Sequence, residues 1–129
     1  VSRRVVERLR RFGVDAMTEN VGIPLVFVVV GIVFAAFGVP LMRGRVRPNF
    51  WYGCRTHKTL SDEKVWYAVN RVTGRDLVIA GGVVAACALA VLLFWRDANT
   101  DLVAAVMLCV ALLSVGGMAV HSSRVSSRM

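Results

Sequence analysis

Three long runs of this chain contain no charged residue, and every Asp, Glu, Lys and Arg falls between or beyond them. Val21 to Met42 is 22 residues, and Leu77 to Trp95 and Leu102 to Val120 are 19 each. A soluble domain spreads its apolar residues with a period of 2 or 3.6, whereas here they lie in unbroken blocks. Each block approaches the roughly 20 residues needed to cross a hydrocarbon core about 30 Å thick. A chain of 129 residues is too small to cover three helices that are apolar all round. The sequence therefore predicts an all-α integral membrane protein with three transmembrane helices at 21–42, 77–95 and 102–120.

The first run holds 14 Val, Leu, Ile and Phe residues, worth about −4 to −8 kcal/mol on an insertion scale. It is longer than a signal-peptide core of about 7–15 residues and is expected to remain in the protein. The second and third runs are joined only by Arg96 to Asp101 and are expected to insert as a helical hairpin. Pro24 is expected in the first turn of its helix and Pro40 near the last. Gly31 and Ala35 in the first run, and Gly82, Ala86 and Ala90 in the second, form small-residue rows. Such rows let helix backbones approach closely, and packing within the chain is the expected use.

Ionisable side chains inside spans mark ion pathways and proton relays, and none lies inside these runs, which argues against a pump or coupled transporter. Cys54, Cys87 and Cys109 are an odd count with two in spans, so they read as packing residues rather than a disulfide framework. Cys54 and His57 make a C-x-x-H, but His121 is the only other His, too few ligands for zinc. No nucleophile–base pair or paired carboxylates stand out, so neither a cofactor nor an enzyme is expected.

With three spans, the N-terminal segment and the loop 96–101 share one side of the membrane. That side carries six Lys and Arg, and the other, with loop 43–76 and the C-terminus, carries ten. The excess places loop 43–76 and the basic tail 121–129 in the cytoplasm. Residues 1–20 read as a basic amphipathic segment, with Val5, Val6, Leu9, Phe12 and Ala16 on one face and five Arg on the other. That is the pattern of a helix lying among headgroups and attracted by anionic lipid. Such helices are more often cytoplasmic, so the side of this segment stays open.

The remaining stretch, 48–74, is aromatic, cationic and rich in hydroxyl and amide groups. Pro48-Asn49 reads as a turn, and Gly53 as a position where the backbone bends or is closely approached. Thr59 or Ser61 is expected to cap a short amphipathic helix from Ser61 to Thr73, with Asp62 and Glu63 in its first turn and Gly74 ending it. That helix is expected to lie at the membrane interface, with Trp66 facing lipid or the bundle. Trp51, Tyr52, Trp66 and Tyr67 mark one membrane boundary and Trp95 the other. Arg55 and Thr56 are expected at the centre of the loop, the Arg55 fork bonded to carbonyls or to Asp62.

The order Asn49-x-x-Tyr52-Gly53-x-Arg55-Thr56-x-x-Thr59-Leu60-Ser61, then Trp66 and Asn70, resembles the signature loop of the SdpI family. These are bacterial membrane proteins named for immunity to a sporulation-delaying toxin, and the resemblance is to their minimal domain. His57 and Lys58 depart from it, because the family often has Pro and an aromatic there. The resemblance implies toxin immunity in the bacterial cytoplasmic membrane. For the founding member it also implies signalling by holding a repressor at the membrane. Asn49, Tyr52, Gly53, Arg55, Thr56, Thr59, Trp66 and Asn70 are the site residues it picks out. The residues themselves point to a non-catalytic cationic interfacial loop. Its partners would be anionic lipid, a peptide toxin, or a membrane or cytoplasmic protein, with no direct contact to nucleic acid. The alternative is a small accessory subunit of a larger membrane complex.

Overall fold

The computed structural model describes residues 2–129, with all their side chains except those of residue 12 and residues 14–20. Four helices follow one another: α1 (Arg3–Met42), α2 (His57–Ser61), α3 (Glu63–Phe94) and α4 (Thr100–Arg128). The three long ones are each apolar and long enough to cross a bilayer, and only 17, 22 and 11% of their most apolar windows is buried. Leu25, Ile32, Phe37, Leu93 and Leu113 are among the large apolar side chains left facing outward. Such a surface suits hydrocarbon and not water.

The helices run longer than the charge-free segments. α1 begins under a Ser2 cap, whose Oγ accepts from Arg4 N, and continues without a break to Met42. Residues 3–20 are thus continuous with the first span. Pro24 lies in the interior of α1 and not in its first turn. Its missing N–H removes one intrahelical bond, and packing compensates, since its side chain is fully buried. Val5, Val6 and Leu9 are exposed on the N-terminal segment. Phe12 and Ala16, expected on the same face, lie outside the described side chains.

α3 departs furthest from expectation. No separate helix ends at Gly74; one helix of 32 residues, about 48 Å long at 1.5 Å per residue, runs from Glu63 through the second span. Asp62 caps it, its Oδ1 accepting from Lys64 N at 2.8 Å and Val65 N at 3.4 Å, in place of Thr59 or Ser61. Gly74 serves the packing of α1 on α3. A Cβ there would lie 2.3 Å from Met42 N and 2.6 Å from Gly38 O. One end of this contact is Gly74 against Gly38, and the other is Gly81 against Gly31, where a Cβ on Gly81 would meet Gly31 O at 2.4 Å. Backbone therefore rests on backbone along an antiparallel pair.

The small-residue row of the first run is used as expected, but that of the second is not. Gly82, Ala86 and Ala90 face outward, and the inward row of α3 is Gly74, Gly81 and Ala85. A helical step of 3.6 residues puts Gly81 and Gly82 about 100° apart, so either can seed an i, i+4 row and only packing selects one.

α4 folds back against α3, and helix continues through Ser122 and Ser126, both buried, to Arg128. At the end of the bundle near residues 96–101, Val84, Ala88, Val91, Ala98, Val103 and Met107 form an apolar core. At the opposite end the interior is polar and belongs to the loop.

Candidate functional site

Residues 43–62 fold onto the first turns of α3, which stand beyond the charge-free run. Three side chains of α3, spaced to share one face, do the holding. Trp66 is fully buried and its Nε1 donates to Val46 O at 2.9 Å, pinning the chain as it leaves α1. It faces the bundle and is not an interfacial anchor. Asn70, 2% exposed, accepts at Oδ1 from Cys54 N at 2.6 Å. Its Nδ2 donates to Trp66 O at 3.0 Å and reaches Cys54 O at 3.4 Å. The amide thus pairs with both backbone groups of one loop residue. Thr73, a turn further on, meets α4, with its Oγ1 3.0 Å from Ser122 Oγ.

The loop shapes itself around this frame. Asn49 Oδ1 accepts from Trp51 N at 2.9 Å and Tyr52 N at 2.8 Å, while its Nδ2 donates to Arg47 O at 2.8 Å. Gly53 follows with φ +106°, and a Cβ there would lie 2.5 Å from Asn70 Oδ1. Both the backbone angle and the approach of Asn70 require glycine. Thr56 caps α2, and its Oγ accepts from Thr59 N at 3.2 Å while Thr56 N donates to Thr59 Oγ1 at 2.8 Å, a reciprocal capping box. Thr59 is fully buried, and its hydroxyl lies 3.0 Å from Cys54 O. Thr56 Oγ1 is also 3.3 Å from Ser126 Oγ, which joins the loop to the C-terminal turns of α4.

The expected residues divide into two groups. Asn49, Gly53, Thr56, Thr59, Trp66 and Asn70 build the frame. Arg55 is not at its centre: it is exposed, and its Nη1 donates to Phe50 O and not to Asp62, which is occupied as the α3 cap. Around it are Phe50, 76% exposed, and Trp51, 90% exposed, with His57 and Lys58 also on the surface. Tyr52 turns inward, its ring edge-on to Phe37 at 5.5 Å and 69°. The loop is therefore a rigid polar base with an aromatic and cationic tip.

Sequence reasoning missed the α4 half of this end. Ser122 and Ser126 are one helical turn apart and form the polar seam with Thr73 and Thr56. Asp76, just outside the second charge-free run, pairs with His121, just outside the third. The Ser122–Ser126 spacing carries that signal, but it lay in a stretch read as a tail.

Fold and loop together define an all-α multi-pass membrane protein in which an ordered polar loop is clamped to one end of a three-span bundle. The chain belongs to the SdpI/YfhL protein family, whose model matches residues 45–120 and so takes in the loop and the second and third spans. No curated protein and no solved structure matches it. Membership supports a membrane protein of the immunity type.

Proposed function

We propose that this is a non-catalytic immunity or sensor protein of the bacterial cytoplasmic membrane, acting through the tip of loop 48–62. The observation that carries this reading is the contrast between base and tip. The buried side chains of Asn70, Thr59 and Trp66 hold the loop with hydrogen bonds, while Phe50, Trp51, Arg55 and Lys58 remain at the surface. A preorganised surface binds without the cost of ordering itself, and exposed Trp and Arg are the residue types that dominate interfaces. A peptide toxin with an apolar face and acidic groups, or an acidic face of a cytoplasmic repressor, fits that chemistry.

The test is survival of cells under the cognate toxin, or retention of a partner in a pull-down, at matched membrane levels. Trp51→Ala and Arg55→Ala are each expected to lower protection at least tenfold. Arg55→Lys, which keeps the charge but loses the planar fork, is expected to fall between them and wild type. Wild-type behaviour of all three would remove the tip from the mechanism.

Orientation is part of the same proposal. The ten-to-six excess of Lys and Arg on the loop side favours the cytoplasm for residues 43–62 and the C-terminus. Single cysteines at the exposed positions 58 and 127, in a background lacking the native ones, are expected to label together and only from the cytoplasmic face. Labelling of both from outside would reverse the assignment, and opposite labelling of the two would overturn the three-span topology.

A second reading, a small subunit of a larger complex, draws on the outward row Gly82, Ala86 and Ala90. Those positions are exposed and suit close approach by another helix. Co-purification at native levels separates it from the first.

A further inference from the structure

Asn49 Oδ1 accepts from the N–H of both Trp51 and Tyr52, at 2.9 and 2.8 Å, and Arg55 Nη1 donates to Phe50 O. These backbone groups of the tip are satisfied by the loop's own side chains and do not draw on water. Internal pairing of that kind is what a segment needs when it enters a layer poor in water. The side chains that the same turn leaves open are Phe50 and Trp51.

Their depth follows from what the next residues touch. Tyr52 lies edge-on against Phe37, which is exposed on α1 and five residues inside the end of the first charge-free run at Met42. At 1.5 Å per residue, Phe37 is about 7.5 Å below that end. Gly53 packs on Leu41, since a Cβ there would lie 3.3 Å from Leu41 Cδ2. Residues 52 and 53 are therefore level with the edge of the hydrocarbon. Consecutive Cα atoms are about 3.8 Å apart, so those of Phe50 and Trp51 are within about 8 Å of Tyr52. The headgroup layer on each side of a bilayer is about 5–7 Å thick, so both aromatics are held at its level, where Trp concentrates.

Charge points the same way. Residues 43–60 carry Arg43, Arg45, Arg47, Arg55 and Lys58, all exposed, and no acidic residue. Five cations beside two open aromatic rings complement a surface of phosphate groups over hydrocarbon. A soluble acidic protein offers the charge, but it would have to follow the rings down to the edge of the hydrocarbon.

We propose that the tip is docked in the headgroup layer of its own leaflet, with Phe50 and Trp51 sunk among anionic phospholipids and Arg55 and Lys58 on their phosphates. This goes beyond the reading of the tip given above: it needs neither toxin nor repressor, and it means that either one meets the tip within that layer.

The experiment is fluorescence of the full chain in vesicles of equal phosphatidylglycerol and phosphatidylcholine, one or the other carrying bromine on its upper acyl carbons. A Trp95→Phe background leaves Trp51 and the buried Trp66, and adding Trp51→Phe supplies the Trp66 baseline. Trp51 emission is expected to be quenched at least twofold more by the brominated phosphatidylglycerol than by the brominated phosphatidylcholine, and to be sheltered from acrylamide. Arg55→Gln combined with Lys58→Gln is expected to remove most of that difference. Quenching of Trp51 by acrylamide and by neither lipid would overturn the proposal and leave the tip in water for a soluble partner. Equal quenching by the two lipids, or a difference unchanged in the double variant, would overturn it as well. The expected quenching together with wild-type protection by Trp51→Ala and Arg55→Ala would sustain this proposal while removing the toxin reading.

Discussion

Replacing Asn70 by Ala is expected to free the loop while leaving the three spans in the membrane. The side chain is 2% exposed and supplies the Cys54 N–H with its acceptor at 2.6 Å. Truncation leaves that donor buried without a partner, at a cost of about 1–3 kcal/mol, and adds an empty volume beside Gly53. A local loss of about 3 kcal/mol corresponds to roughly a hundredfold in the opening equilibrium. The expected result is about that increase in exchange of the Cys54 amide, with trypsin gaining access at Arg55 and Lys58. Asn70→Asp should be worse than Asn70→Ala. It keeps an acceptor for Cys54 N but turns a buried negative oxygen toward the carbonyls of Trp66 and Cys54. Unchanged exchange in both variants would show that the loop is held by Thr59 and Trp66 alone. Loss of protection by Asn70→Ala at normal membrane levels would tie the buried clamp to the working tip.

The second large effect is expected at Gly74, where adding one methyl group should force α1 and α3 apart. The contact is with backbone, Met42 N at 2.3 Å and Gly38 O at 2.6 Å, so no side chain can rotate away. Overpacking of a tight interior costs about 1–3 kcal/mol, and a backbone contact belongs at the upper end. Gly74→Ala is thus expected to lower the midpoint of thermal unfolding in detergent by several degrees or more. Gly82→Ala, one α3 position beyond Gly81 but facing open space, should leave it unchanged. Equal midpoints for the two variants would mean that the α1–α3 contact is looser than these distances imply.

The two variants also separate what the linear order of residues dictates from what it leaves undecided. Number and position of the spans follow from the charge-free runs, because the cost of placing charge in hydrocarbon is local and needs no knowledge of neighbours. The loop's turn residues are legible for the same reason. Asn49 bonds two and three residues on and Gly53 holds φ +106°, so each acts within a few positions. The Thr56 cap of α2, with Thr59 three residues on, is equally local but was not read, because Thr59 was assigned to the next helix. Helix ends were less legible. Gly74 has the composition of a terminator, but its missing Cβ is used to admit Met42 and Gly38, which lie more than thirty residues earlier. The choice of Gly81 over Gly82 as the packing row, the inward turn of Trp66 and the outward place of Arg55 depend in the same way on distant partners. So do the pairs Thr73–Ser122 and Thr56–Ser126, which join residues 49 and 70 positions apart. Sequence by itself determined where this chain meets the membrane and how its loop turns. Only the tertiary structure decided which face of each helix is inside, because an apolar helix in lipid gains nothing from hiding one side, and close packing alone makes the choice.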